Sequence, residues 1–221
     1  MKQLHLILSW LITLAVPFLL IMTAVRLLIN PALLKFEYNS PNFPADTYGF
    51  TTQDRLKWGG LTVEYLLNSS DISFLADLKF SDGTPIYNDR ELSHMQDVKV
   101  LIQQMTTAWY IVIVLLMILG VWAWRARWMS IFWLGISRGG WLTIALIALI
   151  MVFVFTSFDS LFTDFHRIFF IGNSWIFLYS DTLIRLFPLP FWQDSFTYMG
   201  VITVIGALLF GYGGYKLASR S

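Results

Sequence analysis

The sequence predicts an all-α polytopic membrane protein: four transmembrane helices, a small extracytoplasmic cap (helices plus a short β-hairpin) and interfacial helices. Of the 221 residues, 57% are hydrophobic and only 13% are charged, which is too apolar for a soluble domain with a solvated surface. Four apolar stretches approach the ~20 residues that a helix needs to cross the hydrocarbon core. The basic and acidic residues between these stretches are distributed unequally, which assigns a side of the membrane to each connection.

The four apolar stretches are residues 4–25, 105–124, 142–158 and 198–215. The first exceeds the ~7–15 residues of a signal-peptide core and lacks a clear small-residue cleavage site, so we expect a retained helix, kinked at Pro17. The predicted organisation is transmembrane helix 1 at residues 1–28, the cap at 29–104, transmembrane helix 2 at 105–124, a cytoplasmic loop at 125–141, transmembrane helix 3 at 142–158, an extracytoplasmic interfacial segment at 159–197, and transmembrane helix 4 with a cytoplasmic tail at 198–221.

Charge predicts the orientation of these helices. The connections at residues 1–3, 125–141 and 216–221 contain six basic residues and no acidic one, whereas all 14 acidic residues fall in the other segments. Because positively charged connections remain in the cytoplasm, we expect both termini there and the segments at 26–104 and 159–197 on the outer face. No cysteine is present, so the cap must be held by its own core and by the membrane, without disulfides.

The cap contains signals for short helices and one hairpin. Thr51 or Thr52 can cap a helix over residues 53–67, and a shorter helix follows in "DISFLADL". Asp82-Gly83 lies between two short alternating segments, which predicts a β-hairpin. Asn88 with Glu91 three residues later forms a capping-box pattern, so a helix should begin there and continue into the second transmembrane stretch.

The outer segment at 159–197 is rich in aromatic residues and is interrupted by Gly172, Asn173, Pro188 and Pro190. It is too broken to span the bilayer, and its mixture of aromatic and charged residues is typical of helices that lie in the membrane interface. His166 lies a few residues after the third apolar stretch, and His94 lies about 16 Å before the second, measured along a straight helix. We therefore expect both histidines at one leaflet and at similar depth.

Each histidine taken alone has a structural explanation. His94 could be a surface residue whose ring is satisfied by Glu91 or Asp97, which lie three residues to either side of it. His166 could be an interfacial aromatic residue. Their common side and depth favour a shared site, whereas His5, alone at the cytoplasmic end of the first helix, suggests no function.

Other kinds of site are less well supported. A metal could take three or four ligands from His94, His166, Glu91 and Asp97, but no HExxH or HxH spacing places two imidazoles on one element. No GxSxG turn surrounds the serines that could complete a Ser-His-acid arrangement, namely Ser93, Ser157 and Ser160. The aromatic content, 17%, could line a haem or quinone pocket, but interfacial aromatic belts explain it more simply. We therefore expect no metal and no other cofactor.

The motifs "ELSHMQDVK", "FHRIFFIGNSWIF" and "LFPLPFW" resemble the family of bacterial lipoprotein intramolecular transacylases known as Lit, and the resemblance covers essentially the whole chain. It implies an acyltransferase of the bacterial cell membrane that converts a diacylated lipoprotein into the lyso form, by moving an acyl chain from the glyceryl group to the α-amino group of the lipoprotein's first cysteine. It also implies two essential histidines, which map to His94 and His166. We expect membrane lipids as further partners, no nucleic acid, and a monomer.

The chemistry of such a transfer fits the residues present. The substrate would supply both the amine nucleophile and the ester, so no enzyme nucleophile is needed; the missing cysteine also argues against resemblance to apolipoprotein N-acyltransferases. One imidazole can take a proton from the amine and another can give one to the glyceryl oxygen, in an order that the sequence leaves open. Supporting roles are expected for Glu91 or Asp97, which could orient His94, and for Asn173, Trp175 and the backbone amides near residues 172–174.

Two alternative functions remain open at this point. Histidines and carboxylates at the outer leaflet could serve a metal-dependent hydrolase of membrane lipids, whose activity would depend on bound metal. The outer cap could instead be a non-catalytic membrane docking module for a partner protein, in which case replacing both histidines would change nothing.

Overall fold

A computed structural model describes residues 2–220, which fold entirely into helices and connecting turns. Four of the helices are long and apolar enough to cross a membrane, as the sequence predicts. In chain order the helices are α1 (Lys2–Leu28), α2 (Pro31–Tyr38), α3 (Thr52–Leu67), α4 (Ser73–Ala76), α5 (Asp89–Arg125), α6 (Met129–Thr156), α7 (Phe158–Phe169), α8 (Thr182–Leu186) and α9 (Leu189–Ala218). The candidate spans are α1, α5, α6 and α9.

Two of these helices begin earlier than predicted. Residues 129–141, predicted as part of a cytoplasmic loop, form the first turns of α6, and residues 189–197 form the first turns of α9. The three glycines within 129–141 lower helix propensity, but they face neighbouring helices at close range, so tertiary packing overrides the local preference. Pro190 lies in the first turn of α9, where its missing N–H leaves no helical hydrogen bond unmade.

The prediction of a β-hairpin at Asp82-Gly83 is wrong, because no strand is present between residues 2 and 220. The tight turn itself is there, because Gly83 adopts a positive φ of 86° and the Phe80 N–H donates to the Thr84 carbonyl at 2.8 Å. Pairing is limited to one isolated antiparallel bridge between Lys79 and Pro85. Proline has no N–H to donate to a ladder, which explains why the pairing does not extend.

The chain divides into two compact units. The first, termed unit 1, comprises residues 2–27, 105–156 and 197–220. Within it, small residues allow close approach of helices: a Cβ on Gly139 would lie 2.5 Å from Cβ of Val16, and one on Gly140 would lie 2.5 Å from the Gly211 nitrogen. The hydroxyl of Ser137 donates to the Gly211 carbonyl at 2.7 Å. This is the packing of small residues and hydroxyl groups that is common between helices in membranes.

The second unit, termed unit 2, comprises Leu28–Gln104 and Ser157–Phe196. Helix α3 has the predicted cap, in which Thr51 Oγ1 accepts from the Asp54 N–H and Asp54 accepts from the Thr51 N–H. Buried side chains from α3, α4, α5, α8 and the segment before α5 form the largest core of this unit, which is mainly aromatic and aliphatic. Its buried members are Trp58, Tyr65, Leu75, Ile86, Tyr87, Met95, Leu183 and Leu186.

Candidate functional site

His94 lies near the amino end of α5, and the predicted capping box starts this helix. Asn88 Oδ1 accepts from the Glu91 N–H at 3.0 Å, and Glu91 Oε2 accepts from the Asn88 N–H at 2.8 Å. A helix of the length of α5 extends about 55 Å, well beyond the ~30 Å of a hydrocarbon core. The polar first turns, which carry His94 and belong to unit 2, therefore lie outside the membrane-spanning part of α5.

His166 lies on α7, the strongly amphipathic helix that follows α6. Its Nδ1 is 2.7 Å from the Phe162 carbonyl oxygen, one turn earlier on the same helix. His166 is 8% exposed, and α7 buries it together with Phe158. The helix thus holds the imidazole through a backbone hydrogen bond and presents the opposite nitrogen, Nε2, for other contacts.

The structure brings His94 and His166 together, as predicted. Their ring centroids are 5.8 Å apart with 28° between the ring planes, and both residues are 8% exposed. Phe170 lies edge-on to His94 at 5.0 Å and 5.5 Å from His166, Phe177 lies edge-on to His94 at 5.4 Å, and Trp175 lies 5.0 Å from His166. Aromatic rings therefore enclose the imidazole pair and reduce its access to water.

This enclosure disfavours the charged form of both rings. Burial, together with repulsion from His166 when that ring is protonated, lowers the pKa of His94 to about 4. Burial also lowers the pKa of His166, although the hydrogen bond to the Phe162 carbonyl acts in the opposite direction. At neutral pH the site consequently holds two uncharged imidazoles side by side.

The hydrogen bonds also distinguish the two rings. Because a carbonyl can only accept, Nδ1 of His166 carries the proton, and its Nε2 is left as an unprotonated base. Nδ1 of His94 is buried and has no hydrogen-bond partner within residues 2–220. An unpaired buried lone pair is tolerated better than an unpaired buried N–H, so the proton of neutral His94 belongs on Nε2. His166 is therefore arranged to accept a proton and His94 to donate a hydrogen bond.

The two carboxylates that flank His94 in sequence are directed elsewhere. Glu91 is 1% exposed, and its second oxygen, Oε1, accepts from the Leu183 N–H at 2.6 Å. Burial raises the pKa of Glu91, while its backbone hydrogen bonds act against that shift. Asp97 Oδ2 accepts a long hydrogen bond, 3.4 Å, from Ser174 Oγ. Neither carboxylate bonds to His94 within the described chain, so the orienting role expected for them is absent: Glu91 joins α5 to α8, and Asp97 contacts the segment after α7.

Of the other predicted supporting residues, Trp175 contacts an imidazole and, within the described residues, Asn173 does not. Trp175 packs against His166, with 34° between the ring planes, and its Nε1 donates to the Gly172 carbonyl at 3.2 Å. Asn173 is exposed, and its carbonyl accepts from the Ile176 N–H. In the part of the chain that the structure describes, neither its side chain nor those of Ser93, Ser157 and Ser160 bond to either imidazole. Stabilisation of an oxyanion by Asn173 stays a prediction.

Possible metal ligands do not cluster in the described residues, and the third histidine, His5, lies outside the unit that holds the imidazole pair. Within residues 2–220, no group of three or more His, Asp or Glu side chains is arranged to hold a metal ion. His5 lies in unit 1, where its ring stacks on Trp128 at 4.9 Å with 11° between the planes. This is an aromatic packing contact, in line with the absence of any functional pattern around His5 in the sequence.

Three features of the site were not predicted from the sequence. Phe170 and Phe177 were expected only as part of the interfacial aromatic segment, although both contact His94. The third is the Phe162 carbonyl, the acceptor for His166, although position i−4 on an amphipathic helix was a usable signal. The two phenylalanines are 7 residues apart in a broken segment, so no periodicity pointed to their shared orientation.

Comparison with known proteins gives one family. The family model described as "Lipoprotein intramolecular transacylase Lit" matches residues 10–192. A protein of Aquifex aeolicus (strain VF5) described as uncharacterized is 27% identical over 208 residues, which cover 94% of this chain and 93% of that protein.

Solved structures show the same fold. The membrane integral lipoprotein intramolecular transacylase Lit from Bacillus cereus aligns with a TM-score of 0.82 and 18% identity, covering 100% of this chain and 98% of that one. A variant of the Bacillus cereus protein in which a histidine is replaced by alanine aligns with a TM-score of 0.73 and 19% identity, covering 99% and 96% of the two chains. Together with the four long apolar helices, this fold makes the chain a multi-pass membrane protein.

Proposed function

Because the chain belongs to the family of lipoprotein intramolecular transacylases, Lit, we propose that it moves an acyl chain within a diacylated lipoprotein, from the glyceryl ester to the α-amino group of the N-terminal cysteine. The product is the lyso form of the lipoprotein. The observation that carries the proposal is the pair of buried, uncharged imidazoles of His94 and His166, whose ring centroids are 5.8 Å apart. Both partners in the reaction are parts of one substrate, so the protein needs only to position them and to move a proton.

The proton has a complete route through His166. The free α-amine attacks the ester carbonyl and forms a tetrahedral intermediate with a positively charged nitrogen and an oxyanion. Nε2 of His166, which carries no proton in the tautomer fixed by the Phe162 carbonyl, takes the proton from that nitrogen. The resulting imidazolium then returns the proton to the glyceryl oxygen as the C–O bond breaks. The amide forms, the ester is lost, and His166 ends in its starting state.

His94 has a different part in this scheme. A ring with a pKa of about 4 is uncharged at neutral pH, so it holds no extra proton to give to a leaving group. Its Nε2–H is instead a neutral hydrogen-bond donor for the oxyanion or the glyceryl oxygen. A charge that develops on His166 further disfavours protonation of His94, since the two rings are neighbours. Acid and base roles thus both belong to His166, and His94 polarises the ester.

The aromatic enclosure contributes positioning and exclusion of water. Phe170, Phe177 and Trp175 pack against the two imidazoles and leave little room for a competing water molecule. Excluding water favours transfer to the amine over hydrolysis of the ester. Fixing amine and ester in one site can contribute about 7–11 kcal/mol in well-oriented intramolecular reactions.

In this proposal the site faces the extracytoplasmic side of the cell membrane, and the distribution of charge supports that location. The six basic residues within 1–3, 125–141 and 216–221, with no acidic residue among them, favour cytoplasmic termini and hence an extracytoplasmic unit 2. That is where the diacylglyceryl group of a lipoprotein is anchored. The protein acts as a monomer in this proposal, since both imidazoles belong to one chain.

Replacement of the histidines tests the proposal. The His166→Gln variant, reconstituted with a synthetic diacylated lipopeptide, should lose about 10²–10⁴-fold in rate, because glutamine cannot carry a proton between the two atoms. The His94→Leu variant should lose about 10²–10³-fold, whereas His94→Gln, which keeps an N–H donor, should retain more of the rate. The readout is the mass spectrum of the N-terminal peptide, which separates O-acyl from N-acyl products.

The third histidine supplies the matched control. His5→Gln removes an imidazole from unit 1 and should leave the rate unchanged, with the fold of every variant checked by circular dichroism in detergent. The wild-type rate should rise with pH between 6 and about 8, following deprotonation of the α-amine, without an inflection near 6.5. Full conversion by His166→Gln, or a wild-type rate that disappears in chelator, would reject the proposal.

A further inference from the structure

The segment at residues 168–179, which begins in the last turn of α7, has two kinds of large apolar residue. One kind packs inward against the imidazole pair: Phe170, Trp175 and Phe177. The other kind is exposed, and its members are Ile168 at 75%, Phe169 at 44%, Ile171 at 98%, Ile176 at 47%, Leu178 at 65% and Tyr179 at 82%. One side of the segment thus contacts the imidazole pair and the other side is exposed, and we term this segment the wall.

Internal hydrogen bonds define the conformation of this wall. Gly172 adopts a positive φ of 77°, which glycine accepts without strain, and its carbonyl accepts from the Trp175 indole. The Ile176 N–H donates to the Asn173 carbonyl, and Nη1 of Arg90 donates to the Ile176 carbonyl at 3.1 Å. These hydrogen bonds hold the turn that carries Ile171, so the exposure of its side chain follows from the conformation of the turn.

The composition of the segment identifies what contacts it. Residues 168–180 contain no charged side chain, although Arg167 and Asp181 lie directly at their two ends. The segment also follows the helix that begins two residues after the end of α6, one of the candidate spans. An uncharged, aromatic-rich stretch connected in this way to a span is suited to the acyl region of a bilayer, whereas six exposed large apolar side chains are unfavourable in water.

We propose that the outward side of the 168–179 segment is immersed in the lipid leaflet and that substrate reaches the histidines sideways across this wall, from the bilayer. Sideways entry of the substrate rests on the proposed function, whereas immersion of the segment does not. Immersion would place Phe170, Trp175 and Phe177 as the boundary between acyl chains and the two imidazoles. The diacylglyceryl group of a lipoprotein could then enter without leaving the membrane.

Single cysteines test the immersion directly, because the chain has none of its own. A nitroxide on Ile171→Cys, in protein reconstituted into phosphatidylcholine vesicles, is compared with two references by its collision rates with oxygen and with a water-soluble nickel complex. Leu115→Cys, 52% exposed on the apolar part of α5, is the lipid reference, and Ser81→Cys, exposed in a turn of unit 2, is the aqueous reference.

The label at position 171 should behave like the one at 115, with ready access to oxygen and little to nickel. Behaviour like the label at 81 would overturn the proposal, because the segment would then lie in water. Protection from both reagents would also overturn it, because a protein partner or a second copy would then cover the segment. None of these outcomes depends on enzymatic activity, so they are separate from any failure of the proposed function.

Sideways entry is tested by where the substrate is presented. Ile171→Asp should lower turnover about tenfold for lipopeptide embedded in vesicles, while leaving turnover of the same lipopeptide in detergent micelles unchanged. Ser180→Asp adds the same charge next to the wall, at a residue that is already polar and exposed, and should change neither rate. Equal losses of Ile171→Asp in both assays, or no loss in vesicles, would overturn entry across the wall.

Discussion

The two units differ in the polar groups that they bury. In unit 1, the buried polar side chains of the described residues are hydroxyls, and several of them bond to backbone carbonyls. In unit 2 they include six ionisable side chains, which are Glu37, Arg55, Glu91, His94, Lys99 and His166. A hydroxyl buried away from water needs only one carbonyl acceptor for its hydrogen bond, which suits unit 1. Buried ionisable groups require several polar partners, and they mark the part of the molecule where protons can move.

Unit 2 supplies those partners from its own backbone and side chains. Arg55 donates to the carbonyls of Pro44 and Arg185, and Arg185 in turn forms an ion pair with Asp46 at 3.0 Å. The ammonium of Lys99 binds Asn68 at 3.1 Å and lies 3.9 Å from the centre of the Tyr65 ring. Arg55 and Lys99 thus connect helices to loops, whereas neither His94 nor His166 forms an ion pair within the described residues.

The largest effect on stability is expected in unit 1, where glycine is required by close approach. A Cβ at Gly140 would lie within 2.6 Å of the Gly211 nitrogen and the Ala207 oxygen, both of them backbone atoms that cannot rotate away. Gly140→Val should therefore lower the free energy of unfolding in mixed micelles by about 3 kcal/mol. Gly213→Ala is the matched control, since its Cβ would meet nothing within 4 Å, and it should change the value by less than about 1 kcal/mol.

If both variants lose the same stability, the helices of unit 1 adjust to added volume, and the close glycine contacts do not distinguish this unit from unit 2.

A smaller effect is expected in unit 2 from Glu91→Gln. Both carboxylate oxygens accept backbone N–H groups, from Asn88 and Leu183, but glutamine offers only one acceptor and leaves a buried N–H unpaired. The free energy of unfolding should fall by about 2 kcal/mol. Asp89→Asn removes the same charge from the exposed side of the first turn of α5 and should cost less than about 0.5 kcal/mol.

Equal costs for these two variants would mean that the charge at the helix terminus matters and the double hydrogen bond does not.

The change expected over a single pH unit is the smallest of the three, and it comes from the pH dependence that the imidazoles impose on unit 2. The pKa of His94 is about 4 in the folded chain, below the ~6.5 of an unfolded histidine, so below pH 6.5 the unfolded state binds the proton first. Stability is fully present above pH 6.5 and should fall by about 1 kcal/mol for each pH unit between 6.5 and 4. His166, whose pKa is also lowered, acts in the same direction.

The raised pKa of Glu91 has the opposite sign, because the folded state then binds the proton more tightly. Comparing the wild type with His94→Gln at each pH subtracts the contribution of Glu91 and isolates that of the imidazole. An unchanged slope in His94→Gln would contradict the burial of this ring as an uncharged group.

Local signals in the sequence predicted the elements that depend on neighbours along the chain. The four long apolar helices, the cap of α3 at Thr51 and the capping box of Asn88 and Glu91 all follow from spacing within a few residues. The proximity of His94 and His166 was also predicted, because both segments were expected on the same side of the membrane and at similar depth. The catalytic roles of these two histidines stay predictions.

Partners that lie far apart in the chain were not predicted. Glu91 and Asp97 flank His94 at positions typical of an orienting carboxylate, yet their oxygens are occupied by Leu183 and Ser174, more than 70 residues away in sequence. The first turns of α6 likewise depend on packing against neighbouring helices. The pairing of Lys79 with Pro85 does not extend into strands because proline has no N–H.

Hydrophobic length and capping are properties of short stretches of chain, so the sequence predicts the four apolar helices, the capped starts of α3 and α5, and the candidate histidines. The unpaired Nδ1 of His94 and the aromatic rings that enclose the imidazole pair depend on the tertiary structure. A buried pKa is governed by atoms a few ångströms away in space, and around His94 those atoms include Phe170 and Phe177, more than 70 residues away in sequence.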